Sequence, residues 1–136
     1  FRHENEERNH MMKFLEYILK RGAKVVVTAI PDPGPTPKSI NNCFERVFES
    51  EVKNTENIYR IVEMSMAEKD WATWNFMQWF VKEQTEEETL AIELLDRIKI
   101  AGGEKADDVA LYELNRDLEV KPDEAILAQN VTVEKP

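Results

Sequence analysis

Four carboxylates fall within the six residues Glu83-Gln84-Thr85-Glu86-Glu87-Glu88, inside a stretch whose apolar residues recur at helical spacing. Phe76 and Phe80 precede the cluster, and Ala91, Leu94 and Ile98 follow it on the same face. A helix makes Glu83, Glu86 and Glu87 neighbours, where like charges repel. On an outer face such a cluster is ordinary. Here either Gln84 or Glu83, together with Glu87, occupies the apolar stripe itself. Carboxylates at that density on a core-facing stripe require cations. The chain must therefore fold as helices packed on helices, with ligands supplied from more than one of them.

The other stretches are also helical. Residues 1–21 place Glu7, His10, Met11, Phe14 and Ile18 on one face, with Leu15 at its edge. Lys20 and Arg21 suit the negative end of that helix, and Gly22 stops it. Val25-Val26-Val27, with Ala29 and Ile30, is apolar and extended in character. Pro31, Pro33, Pro35 and Pro37 with Gly34 then forbid helix. The connection from Ala23 to Lys38, about 16 residues, is longer than antiparallel neighbours need. It reads as a crossover that carries the chain to the opposite end of a bundle.

Ser39 is the expected N-cap of a second helix over 39–69, with a stripe of Phe44, Val47, Phe48, Glu51, Thr55, Ile58, Val62 and Met66. Asp70 caps the helix predicted over 71–100, which Gly102-Gly103 ends. A short helix over 106–118 carries Val109, Leu111, Tyr112, Leu114 and Leu118. The tail at 119–136 has no strong pattern and is expected to be loosely ordered. These elements make one all-α domain over 1–118.

Composition narrows the partners. With 27 acidic and 18 basic residues the net charge is −9, which disfavours nucleic acid and anionic membranes and concentrates cations. No apolar run approaches the ~18 residues of a membrane span. A single cysteine, Cys43, has no internal disulfide partner, which fits a reducing, cytoplasmic setting. Its position beside Phe44 reads as a small core or interface residue.

Three helices thus carry metal-ligand side chains on apolar faces: Glu7 and His10 on the first, Glu51 on the second, Gln84 and Glu87 on the third. Glu7-Arg8-Asn9-His10 is a Glu-x-x-His step, one helical turn apart. Buried carboxylates are costly unless paired, protonated or bound to metal. Carboxylates with one imidazole and open positions suit a redox iron centre better than closed zinc.

From Phe1 to about Leu118 the chain resembles non-haem ferritin of the prokaryotic type. The segments that carry the resemblance are Glu6-Glu7-Arg8-Asn9-His10-Met11, Phe48-Glu49-Ser50-Glu51-Val52 and, most specifically, Trp74 through Glu88. Lys20-Arg21-Gly22-Ala23 with Ala29-Ile30-Pro31 is similar to the family's long loop. The fold implied is a ferritin-like four-helix bundle, of which the chain supplies the end of the second helix, the third, the fourth and a short fifth.

The function implied is iron storage and detoxification. A di-iron ferroxidase centre oxidises Fe(II) with dioxygen or peroxide, and ferric mineral is deposited inside a homo-oligomeric cage of 24 subunits. In that resemblance Glu7 and His10 match ligands of the first iron. Glu51 matches the second iron's ligand, with Gln84 its polar neighbour. Glu87 stands between the second iron and a third iron site completed by Glu6, Glu83 and Glu86. Glu88 is then expected to face solvent. No haem is expected. Bacterioferritins and rubrerythrins carry a second Glu-x-x-His where this chain has Gln84-Thr85-Glu86-Glu87, so ferritin proper is favoured.

The family's first helix and the start of its second, which carry a bridging glutamate and a nearby tyrosine, have no counterpart in these residues. With no initiator Met and no turn chemistry before its first helix, the chain reads as a fragment of a longer parent. The competing reading is a structural subunit or truncated form without its own working centre. Trp79 reads either as a packed aromatic or as an electron donor beside the centre.

Overall fold

Helix ends in this chain are set by backbone chemistry, not by fading propensity. The computed structural model describes residues 2–120, with side chains described over 4–116. Helix α1 (Arg2–Lys20) closes on Gly22 at φ 78°. There the Gly22 N–H donates to the Leu19 carbonyl at 2.9 Å and the Ala23 N–H reaches back to Ile18 at 3.1 Å. This paired closure needs a left-handed residue at its centre, which glycine supplies without steric cost.

Residues 23–34 form no helix or strand. Val26, Val27 and Ile30 are strongly exposed there, and Asp32 turns the backbone by accepting from the Gly34 N–H at 2.7 Å. The chain divides after Gly34 into two compact units.

In the second unit, Pro35–Val120, Ser39 opens α2 (Ile40–Ala67) by accepting from the Asn42 N–H at 3.1 Å. Asp70 opens α3 (Trp71–Ile100), accepting from the Thr73 N–H at 3.1 Å and the Thr73 hydroxyl at 2.6 Å. Both caps are the side chains expected, and both satisfy donors that a helix start leaves unpaired. Only Glu68–Asp70 link the two helices, so they run antiparallel as a hairpin. The link repeats the closure seen after α1. Lys69 donates to Met66 at 3.1 Å and Asp70 to Ser65 at 2.8 Å, but here the left-handed residue is Lys69, at φ 57°.

The core is drawn mostly from α3, as Met77, Phe80, Ala91 and Ile98, with Ile58 from α2. Three stripe positions differ from expectation. Ser65 is buried and Met66 exposed, because the α2 stripe advances from Ile58 by seven residues and not eight. Met77, absent from the expected stripe, is among the most buried residues because it stands three before Phe80. On α1, Met11 is exposed, so the apolar face runs through Phe14, Tyr17 and Ile18.

α3 ends at Gly102, where φ is 112° and an added Cβ would approach the Ala106 backbone at 3.1 Å. A short 3-10 turn, Gly103–Lys105, follows, so α4 (Asp108–Val120) begins two residues later than predicted. Its first turn is held by Asp107, which accepts from the Ala110 N–H at 2.8 Å. The tail expected to be loosely ordered lies outside the described residues from Lys121 onward. Among the described residues no helix is long and apolar enough to cross a membrane.

Candidate metal centre

On α1, Glu7 and His10 sit one turn apart with Glu7 Oε2 3.6 Å from His10 Nδ1. Glu7 is exposed and His10 half-buried. The step therefore presents an imidazole edge and a carboxylate together on one face, as its spacing predicts. Glu6, beside them in sequence, is half-buried.

The hairpin of α2 and α3 carries the denser group. Glu51 and Gln84 are each only 6% exposed, and Glu87, one turn after Gln84, is 8% exposed. The ambiguity over which of residues 83 and 84 takes the inward position is resolved in favour of Gln84, with Glu83 half-buried. Gln84 Nε2 lies 3.2 Å from the Glu51 carbonyl, 3.2 Å from Thr55 Oγ1 and 3.4 Å from Glu51 Oε2. Two of these oxygens, the carbonyl and the carboxylate, can only accept. The amide nitrogen must therefore face them, and the Gln84 carbonyl oxygen is turned to the other side.

Glu51 is buried with little to hold it. Its carboxylate accepts at 3.4 Å from Gln84 and at 3.5 Å from Asn54, both at the weak limit of hydrogen bonding. No lysine, arginine or histidine among the described residues pairs with it. A carboxylate oxygen and an amide oxygen are hard donors of the kind that divalent and trivalent cations take. Glu86 is placed differently: exposed, with Lys82 at 3.2 Å as its partner.

Two participants escape the sequence reading. Thr55, a core-spaced residue with no expected role, accepts from Gln84 and donates to Glu88 Oε1 in a short hydrogen bond. Glu88, expected to face solvent, is half-buried for that reason. The available signal was spacing, since Thr55 follows Glu51 by one turn and Glu88 follows Gln84 by one turn. Among the aromatic residues, Trp79 meets Phe80 edge-on with centroids 4.8 Å apart, and Phe76 meets Phe80 at 5.4 Å. Trp79 nonetheless keeps 38% of its surface exposed. Cys43 is half-buried with a free thiol.

Residues 1–101 match the model of the family described as Ferritin, a ferritin-like domain. A probable bacterial non-heme ferritin-like protein of Haemophilus influenzae is 35% identical over 116 residues, covering 85% of this chain and 68% of that protein. A bacterial non-heme ferritin of Campylobacter jejuni is 36% identical over 102 residues, covering 75% and 61% respectively. Among solved structures, an open pore ferritin from Archaeoglobus fulgidus superposes with a TM-score of 0.81 at 37% identity, covering 87% of this chain and 71% of that one. The all-helical architecture agrees with that neighbour's fold. The chain thus spans between three fifths and three quarters of the length of these relatives.

Proposed function

The chain belongs to the ferritin-like family, and from that premise we propose that it serves iron storage through oxidation of Fe(II) at a carboxylate-rich centre. One observation supports the reading most: Glu51 is buried on α2 with no cationic partner among the described residues, and Gln84 of α3 is held beside it with its nitrogen engaged and its oxygen turned away. Such a pair suits a cation better than it suits an empty fold.

Fe(II) is the substrate here, and the proposed ligands are Glu7, His10, Glu51, Gln84 and Glu87. Glu6, Glu83 and Glu86 belong to a third iron position that receives the product. Carboxylate oxygens favour ferric over ferrous iron, which lowers the potential at which the electron leaves. Two irons held together deliver two electrons to one dioxygen or peroxide. Glu87 stands between the pair and the third position, so it guides the oxidised ion away. Assembly as a homo-oligomeric cage of 24 subunits, in the cytoplasm, belongs to the same proposal. It supplies the enclosed volume that a ferric mineral needs.

The test is to mix the protein with Fe(II) in air and follow the ferric absorbance. Fast formation is expected, slowed by at least about tenfold in Glu51→Ala and in His10→Ala, since loss of even a supporting group near a metal commonly costs that much. Rates in both variants equal to the parent protein's reject the centre.

A further inference from the structure

The hydrogen bonds around Gln84 have a direction that its neighbours impose. An amide nitrogen only donates, so Thr55 Oγ1 must accept from it at 3.2 Å. The threonine's single proton is then left for one of two acceptors, the Glu51 carbonyl at 3.1 Å or the Glu88 carboxylate. A carboxylate is the stronger acceptor, and the contact to Glu88 is the shorter. The chain therefore runs from Gln84 Nε2–H to Thr55 Oγ1–H to Glu88 Oε1, tying α3 to α2 and back to α3.

We propose that Thr55 is a positioning residue for the metal ligand Gln84: with Glu88 it locks the amide so that Oε1, and not Nε2, is offered to the cation. The proposal rests on the iron-centre reading above and adds to it the means by which a neutral ligand is kept the right way round. Thr55 Oγ1 joins the Glu51 carbonyl and carboxylate as a third acceptor on the amide nitrogen, so removing it weakens the preference for this orientation over the flipped one. An NH2 group turned to the cation binds nothing and repels it. Glutamate at position 84 has no such failing, since both its terminal atoms are oxygen. A glutamine ligand thus needs an orienting partner that a glutamate does not, and Thr55 is buried where it serves as one.

Titration with Zn(II), which is not oxidised, followed by calorimetry reads the effect apart from turnover. Thr55→Val keeps the shape and removes the hydroxyl; its affinity for Zn(II) is expected to fall about tenfold, in the range that loss of a ligand-orienting group causes. Thr55→Ser, which keeps the hydroxyl, restores affinity to near that of the parent protein. Glu88→Gln, a change on the half-buried rim, lowers affinity by a smaller factor and covers the case of poor folding in the valine variant. In a Gln84→Glu background Thr55→Val has no further effect, because there is no amide to orient. Unchanged affinity in both Thr55→Val and Glu88→Gln overturns the proposal, as does an equal loss for Thr55→Val in the Gln84→Glu background. Glu51→Ala distinguishes the levels. If it weakens Zn(II) binding while Thr55→Val does not, the orienting role alone fails. If it too leaves binding unchanged, the metal-centre reading falls and the role of Thr55 falls with it.

Discussion

Replacing Glu51 by glutamine separates what the centre costs the fold from what it does for function. Glu51 is 6% exposed and has no ion-pair partner among the described residues, and its carboxylate accepts hydrogen bonds of 3.4 and 3.5 Å. Bonds of that length lie at the low end of the ~0.5–1.5 kcal/mol that a hydrogen bond contributes. Together they do not offset removal of a carboxylate from water, whose effective penalty is several kcal/mol. Glutamine keeps the shape and one accepting oxygen facing Gln84 and Asn54, and it carries no charge. The metal-free Glu51→Gln protein is therefore expected to be more stable than its parent by about 1–2 kcal/mol. For a chain of this size that raises Tm by about 2–8 °C.

Metal reverses the order. The parent protein gains about 2.7 kcal/mol when free Zn(II) stands at a hundred times its Kd, and the variant loses most of that gain with its ligand. Thermal unfolding followed by circular dichroism, once with EDTA and once with excess Zn(II), measures both limbs. The variant should melt higher in EDTA and lower in zinc. A variant that melts lower than its parent in EDTA refutes the reasoning, because it means that the fold itself, and not a cation, satisfies the Glu51 carboxylate.

Two further outcomes follow from other parts of the chain. Lys69 sits at φ 57° in the link between α2 and α3, a conformation that costs an L-residue about 1–2 kcal/mol, against about 0.5–1 kcal/mol of extra chain entropy lost by glycine. Lys69→Gly is accordingly expected to raise stability by about 0.5–1 kcal/mol in urea unfolding, and a lower midpoint with unchanged slope contradicts the assignment of strain. Glu83→Ala and Glu86→Ala are expected to spare the first fast phase of Fe(II) oxidation and to change the slower phase that follows. Stopped-flow absorbance distinguishes them, and loss of the first phase would merge the third iron position with the first two.

Much of this arrangement is legible in the residues alone, for reasons that also mark where legibility stops. Glu51 and Gln84 stand out because they interrupt stripes that are otherwise apolar, and a polar side chain on such a stripe needs an explanation. Ser39 and Asp70 are evident because a helix start leaves donors that only a few side chains satisfy. Thr55 is invisible by the same logic. A threonine at core spacing passes as a small, tolerable residue, and its value lies in a hydroxyl whose partners are 29 and 33 residues away. Glu88 is misjudged because the position beside an inward residue is ordinarily outward, and only the reach of a glutamate side chain to Thr55 draws it in. Ser65 against Met66 is decided by whether a stripe steps seven or eight residues, which composition favours the wrong way since methionine is the more apolar.

The three-residue link of Glu68–Asp70 has a kinetic consequence. Glu51, Thr55, Gln84 and Glu88 all belong to one helical hairpin, so they meet through closure of a single short loop. Contacts of low sequence separation form early and cost little chain entropy. The orienting apparatus for Gln84 is thus assembled by local folding, ahead of contacts that depend on distant parts of the chain.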